Sequence, residues 1–308
     1  MVRQLRSIRN RAISSGANPC VVNNGMPYWH FWVQGEGDYS SLGDSGDAPG
    51  YDFSRWGATL GMYADVSDAF SAGMAFSSLW GELRMDSPDH LDSDVNTSYF
   101  SLFARYRNCS WVHTLSGTFG WADFDTNRQV HIGSSYYRTH SSADGRAFGF
   151  MYELVYDKLS GAEDDWSLQP LLNISYRHSS VDSFTEKGSD AALQLSPRSM
   201  NILTLAAGAR LQAIIGENWY NRSSCIEGRA LLAFDIGNRR GKAATALVNG
   251  SARDSVQGTR PGAFGVELGA GLSVPLGAES GTLFFDASVI LRSRFSELNG
   301  VVGYSLPF

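Results

Sequence analysis

Apolar residues recur at every second position over runs of ten or more residues in this chain. From Phe264 to Val274 one parity reads Phe264, Val266, Leu268, Ala270, Leu272 and Val274. The other reads Gly265, Glu267, Gly269, Gly271 and Ser273. Leu283, Phe285, Ala287, Val289 and Leu291 alternate with Phe284, Asp286, Ser288 and Ile290, and Val302, Tyr304, Leu306 and Phe308 alternate to the C-terminus. Period two with one apolar face marks a strand whose two faces meet different media. The pattern predicts twelve strands, over 28–39, 51–65, 69–84, 95–107, 110–125, 145–158, 166–179, 199–215, 219–236, 262–275, 281–292 and 298–308. Many exceed the five or six residues usual in soluble domains. They reach the roughly 9–11 that a tilted strand needs to cross a bilayer.

Composition removes other classes. Charged residues are 18% of the 308, below the roughly 25% of soluble domains. The apolar stretch Ile202 to Ile215 is broken by Gly208, Arg210 and Gln212, so it does not read as a membrane helix. A net charge of -6 argues against a nucleic-acid partner. Seventeen Phe, 13 Tyr and 8 Trp argue against disorder.

Connections alternate in length. Asp65–Asp68, Arg107–Ser110, Lys158–Asp165, Gly216–Asn218 and Gly277–Ser280 are short, while Ser40–Gly50, Met85–Asp94, Thr126–Asp144, Ser180–Arg198 and Gly237–Pro261 are long and polar. A membrane barrel sorts its loops this way. The apolar parity carries Trp29, Phe31 and Val33, then Trp56, Leu60 and Met62, then Phe70, Met74, Phe76 and Trp80. The opposite parity carries Gly57, Gly61, Arg105, Glu153, Arg177, Arg210, Glu227, Arg229, Glu267 and Asp286, which suits a polar lumen better than a packed interior. The expected fold is therefore all-β: a closed, twelve-stranded, antiparallel transmembrane barrel over 28–308. Residues 1–27 form a separate basic segment. Val2, Leu5, Ile8, Ala12 and Ile13 recur at helical spacing among Arg3, Arg6, Arg9 and Arg11. They read either as a short helix in or near the lumen or as a solvated tail. Met1–Ser15 has no apolar core for export, so an export signal is expected upstream.

Several segments together resemble the C-terminal translocator domain of autotransporters, the single-chain secretion proteins of the Gram-negative outer membrane. They are WVQGEG at Trp32–Gly37, the hairpin Tyr51–Asp86, DGRAFGFMYELVYD at Asp144–Asp157, the stretch Gln169–Gly188 ending in FTEKG, GVELGAGLSVPLG, and the terminal VGYSLPF. The resemblance covers nearly all of the chain after Trp29. It implies a barrel with a helix threading the pore, integral to the outer membrane and in contact with its lipid. It also implies an N-terminal passenger carried to the cell surface, with barrel-assembly machinery and periplasmic chaperones as partners. That machinery reads a last strand ending in an aromatic residue, which Val302, Tyr304, Leu306 and Phe308 supply; Pro307 departs from the family pattern. Within FTEKG, Phe184 is expected to fold over the barrel mouth and Glu186 to meet a cation, with Gly188 closing the motif.

No catalytic, cofactor or metal motif emerges, so the chain is read as a non-enzyme without cofactors. His131, His140, Ser134, Ser135 and Asp144 share one predicted loop and are the best candidates for hydrolytic chemistry. Asn23-Asn24-Gly25 reads as a turn rather than a cleavage site. Cys20, Cys109 and Cys225 fit no metal spacing, although a Cys20–Cys225 link would tether the N-terminal segment in an oxidising compartment. The rivals to a translocator are a free-standing outer-membrane pore and an outer-membrane hydrolase.

Overall fold

The computed structural model describes residues 28–44, 48–85, 90–157, 166–217, 223–239, 241–248, 253–276 and 281–307. The expected N-terminal helix, Cys20 and Phe308 lie outside them. The strands are β1 (Tyr28–Leu42), β2 (Tyr51–Ser67), β3 (Phe70–Met85), β4 (His90–Asn108), β5 (Trp111–Ile132), β6 (Ser135–Tyr156), β7 (Trp166–Val181), β8 (Phe184–Thr185) and β9 (Leu193–Leu195). They continue with β10 (Arg198–Glu217), β11 (Ser223–Asn238), β12 (Lys242–Leu247), β13 (Arg253–Gln257), β14 (Phe264–Pro275), β15 (Thr282–Arg292) and β16 (Phe295–Pro307). Among the described residues twelve strands close into one barrel, and β13, β12, β9 and β8, in that order, form a separate four-stranded sheet. Closure comes from antiparallel pairing of first strand with last, from His30 opposite Pro307 to Leu42 opposite Phe295.

The outward parity is apolar only over part of each long strand. On β5 it runs Trp111, Leu115, Phe119 and Trp121, all exposed, and then turns polar at Asp123, Asp125 and Asn127. On β6 the change falls between Phe148 and Arg146, and Phe148 lies opposite Phe119 and Arg146 opposite Trp121. Neighbouring strands therefore place the outer edge of the apolar belt at one height. From Trp111 to Trp121 is roughly 33 Å of strand, or about 25 Å of membrane at a tilt of about 40°. Trp29, Phe70, Tyr106, Trp111 and Trp166 line the other edge.

Two expectations about loops need correction. Thr126–Asp144 is not a loop, because β5 and β6 remain paired as far as Ile132 opposite Ser135 and turn through Gly133 and Ser134. Gly133 takes a φ of +63° there, in the left-handed region that glycine tolerates. Likewise β4 begins at His90 rather than near residue 95. Beyond the belt the outward face meets water instead of lipid, so apolar alternation disappears while the hydrogen-bonded ladder continues. The turn between β15 and β16, at Ser293 and Arg294, is short although it lies at the long-loop end.

Inward aromatics lie over glycines of the adjacent strand. Trp32 is opposite Gly61, Phe103 opposite Gly73, Tyr99 opposite Gly120 and Phe284 opposite Gly303. A Cβ at Gly61 would sit 2.3 Å from two ring carbons of Trp32, which is itself 0% exposed. Gly61 thus gives the indole its space on the lumen wall. Substituting Gly61→Val should cost about 1–3 kcal/mol by overpacking. It should lower the temperature at which the folded barrel loses its fast gel mobility; an unchanged temperature would refute the packing argument.

Candidate functional site

The lumen is the site that the fold builds. β11 rises from the short-turn end and carries Glu227, Arg229 and Asp235 inward. Arg229 is 5% exposed and donates two hydrogen bonds to Asp286 on β15, from Nη1 at 2.6 Å and Nη2 at 2.8 Å. Glu227 lies 3.5 Å from the same guanidinium and Glu267 of β14 lies 3.9 Å away. Gly269 faces Arg229 across the β11–β14 pair, and a Cβ there would stand 2.5 Å from the guanidinium carbon. Glycine at 269 therefore makes room for the charge network.

The pairing extends along the wall. Opposite Arg229 on β10, Arg210 lies 3.8 Å from Glu227 and donates from Nε to Gln169 at 2.7 Å. Above it, Asp235 accepts from Arg292 at 2.5 Å and from the Thr204 hydroxyl at 2.6 Å, with Arg177 3.8 Å away. Across the lumen Arg55 donates to Asp38 at 2.8 and 3.0 Å, and Thr59 donates to Glu36 at 2.7 Å. Glu153 is 1% exposed, inward on β6 opposite Thr114 and Asn173. Charge-assisted pairs such as these hold rigid positions in a partly desolvated channel.

The inward set read from the sequence falls on the lumen parity. Gly57, Gly61, Glu153, Arg210, Arg229 and Glu267 are buried, and Arg105, Arg177, Glu227 and Asp286 are intermediate. Glu36, Asp38, Arg55, Asp235 and Arg292 complete the charge network and were not singled out. On β11 the inward apolar residues Leu231 and Ala233 separate Arg229 from Asp235 and blur the parity. The lumen is also less uniformly polar than expected. Val112, Val155, Leu171, Ala206, Leu231 and Ala233 form one buried apolar cluster on its wall, and Trp32, Tyr63, Ala75 and Phe103 form another.

The remaining candidates disperse. Val302, Tyr304 and Leu306 share the outward parity of β16, and Pro307 pairs with His30. Glu186 accepts from Arg128 of β5, from Nε at 2.9 Å and from Nη2 at 2.6 Å. The Phe184 ring lies under Arg198, 5.9 Å from the guanidinium carbon. Gly188 takes a φ of +109°. His131 packs on Tyr136, and His140 meets Asn127 and Asp125 at 3.3 Å. Among the described residues neither imidazole is joined to a serine, so the hydrolytic grouping does not assemble. Cys225 lies 3.0 Å from the Gln212 amide, and Cys109 is exposed in the turn after β4.

A closed ring, an apolar exterior of membrane height and a charge-paired interior define an integral outer-membrane β-barrel. The family model described as autotransporter beta-domain matches residues 31–288, and the chain belongs to that family. It is thus a translocator domain of the outer membrane of a Gram-negative bacterium. Esterase EstA of Pseudomonas aeruginosa is 27% identical over 197 residues, covering 62% of this chain and 30% of that protein. An extracellular serine protease of Serratia marcescens is 25% identical over 216 residues, covering 66% of this chain and 20% of its own length. The chain thus spans under a third of these curated relatives. The translocator domain of autotransporter NalP from Neisseria meningitidis superposes with a TM-score of 0.68 at 16% identity, over 99% of this chain and 96% of that one. The beta domain of the Bordetella autotransporter BrkA does so with 0.60 at 13%, over 91% and 100%.

Replacing Arg229 with Met would leave Asp286, Glu267 and Glu227 around an absent cation. The expected loss is about 3–5 kcal/mol of barrel stability. The double variant Arg229→Met, Asp286→Asn should recover part of it, as read by denaturant unfolding in lipid. A double variant as unstable as the sum of the two singles would refute the coupling.

Proposed function

We propose that this barrel anchors an N-terminal passenger in the outer membrane and supports its export to the cell surface, without enzymatic activity of its own. The observation that carries the reading is the charge-paired polar lumen inside a closed, membrane-height apolar wall. An extended or hairpin chain in transit carries backbone groups that need hydrogen-bond partners away from bulk water. The wall carries hydroxyls and amides at Thr59, Ser77, Ser101, Thr118, Gln169 and Thr204, each hydrogen-bonded to a neighbouring wall side chain in the resting barrel. Arg55, Arg210, Arg229 and Arg292 are each matched to a carboxylate within the wall, so these cations are not free to trap a passing acidic segment. The hydrolytic names of the two relatives describe proteins more than three times the matched length, and no hydrolysis is assigned to this barrel.

Assembly would depend on barrel-insertion machinery and periplasmic chaperones reading Val302, Tyr304, Leu306 and Phe308 on the last strand. A reporter passenger fused ahead of Met1 and fitted with an export signal should become accessible to external protease only with the intact barrel. The combined change Tyr304→Ala, Phe308→Ala should reduce the inserted barrel several-fold and surface exposure with it. A passenger that stays periplasmic beside a fully inserted barrel would overturn the assignment.

A further inference from the structure

At the long-loop end the chain builds a sheet separate from the barrel. The four-stranded sheet β13-β12-β9-β8 comes from two separate connections, β7 to β10 and β11 to β14. One face of β12 is small and buried, with Ala243 and Thr245 5% and 8% exposed, and Ala191 and Ala192 just before β9 are buried too, whereas Lys242 and Ala244 on the other face of β12 are exposed. Beyond its two stems, the sheet is attached to the rim at two further places.

The first is on β5 and β6. Arg128 has the lumen-facing parity of β5 but stands seven residues beyond Trp121, above the apolar belt. Its guanidinium holds both Glu186 oxygens and also donates to the Ala191 carbonyl at 3.0 Å. Glu186, 5% exposed, accepts in addition from the Leu193 backbone N–H at 3.0 Å. Lys187 exchanges backbone hydrogen bonds with His140 of β6, each 2.9 Å. The second is at the far end. Thr259, 9% exposed and two residues after β13, donates to the Ala48 and Pro49 carbonyls of the β1–β2 connection, at 3.2 and 2.8 Å.

In ring order these four attachments stand at β1–β2, β5–β6, β7–β10 and β11–β14. No gap between successive attachments reaches half the ring, so a sheet that joins them crosses the opening rather than lying to one side of it. A four-stranded sheet is about 14 Å across, a span suited to a small barrel mouth.

We infer that this sheet is a strap that closes the outer mouth, latched by Arg128–Glu186 at one end and hooked by Thr259 at the other. The inference rests on the chain being an outer-membrane barrel, and adds a seal against external solutes. The strap lies off the opening while a chain emerges and settles when the Glu186 carboxylate meets Arg128. The same ion pair orders the 186–193 segment, so latch and strap form together.

The test uses the full chain inserted in cells, with Cys20, Cys109 and Cys225 replaced by serine and Ser175→Cys as a lumen reporter. Ser175 is inward on β7 and 3% exposed. A membrane-impermeant maleimide added outside should label it slowly. Glu186→Gln should speed labelling about tenfold, the scale of one lost charge-assisted bond. Arg128→Gln should match it, and the pair combined should add little more. Thr259→Val, which removes the hydrogen bonds to the Ala48 and Pro49 carbonyls of the β1–β2 connection, should speed labelling by a smaller factor. It supplies the reading if the Glu186 variant does not insert. Unchanged labelling in inserted, heat-modifiable Glu186→Gln or Thr259→Val protein would overturn the strap. Failure of the translocator reading would appear separately, as a passenger left in the periplasm by the unaltered barrel.

Discussion

The constraint on which everything else depends is the backbone hydrogen bond in lipid. A strand edge facing hydrocarbon leaves unpaired N–H and C=O groups, each at a cost of several kcal/mol. One unpaired edge along the His30–Leu42 register would therefore outweigh the roughly 5–15 kcal/mol net stability of a folded domain. Pairing of β1 with β16 removes both edges at once. Once the ring is closed, parity decides the rest: one face of every strand must dissolve in lipid and the other must fill a narrow channel.

The narrowness explains the glycines. A second side chain would clash at these contacts, so Trp32, Phe103, Tyr99, Phe284 and Arg229 each face glycine on one neighbouring strand. The same device thus serves packing in four places and a buried charge in the fifth.

The fold was legible wherever the two faces of a strand met different media. Leu115, Phe119 and Trp121 alternate against Thr114, Ser116 and Thr118, and the strand is plain. Past Trp121 the outward face meets water instead of lipid, so Asp123, Asp125 and Asn127 read as loop although the ladder continues to Ile132. The lumen charges were legible by parity, but their partners were not. Arg229 and Asp286 are 57 residues apart and Arg128 and Glu186 are 58 apart, and only the register brings them together. Gly61 likewise announces a small inward position without announcing Trp32. Periodicity reports the medium around a residue; closure of the ring decides its neighbour.

The charge network bears on how a channel can be both stable and passable. A buried ion pair adds little net stability over well-packed apolar residues, because desolvation offsets most of the attraction. An apolar filling of the same volume would hold the barrel equally well. It would also offer a transiting polar backbone no partners, and it would close the channel. Pairing Arg229 with Asp286 and Arg292 with Asp235 instead keeps the wall polar while tying each charge to a fixed partner. A lone arginine in that position would bind every acidic segment that passed. Matched pairs make the wall wettable without making it adhesive, and that combination suits a lumen through which sequences of any composition must move.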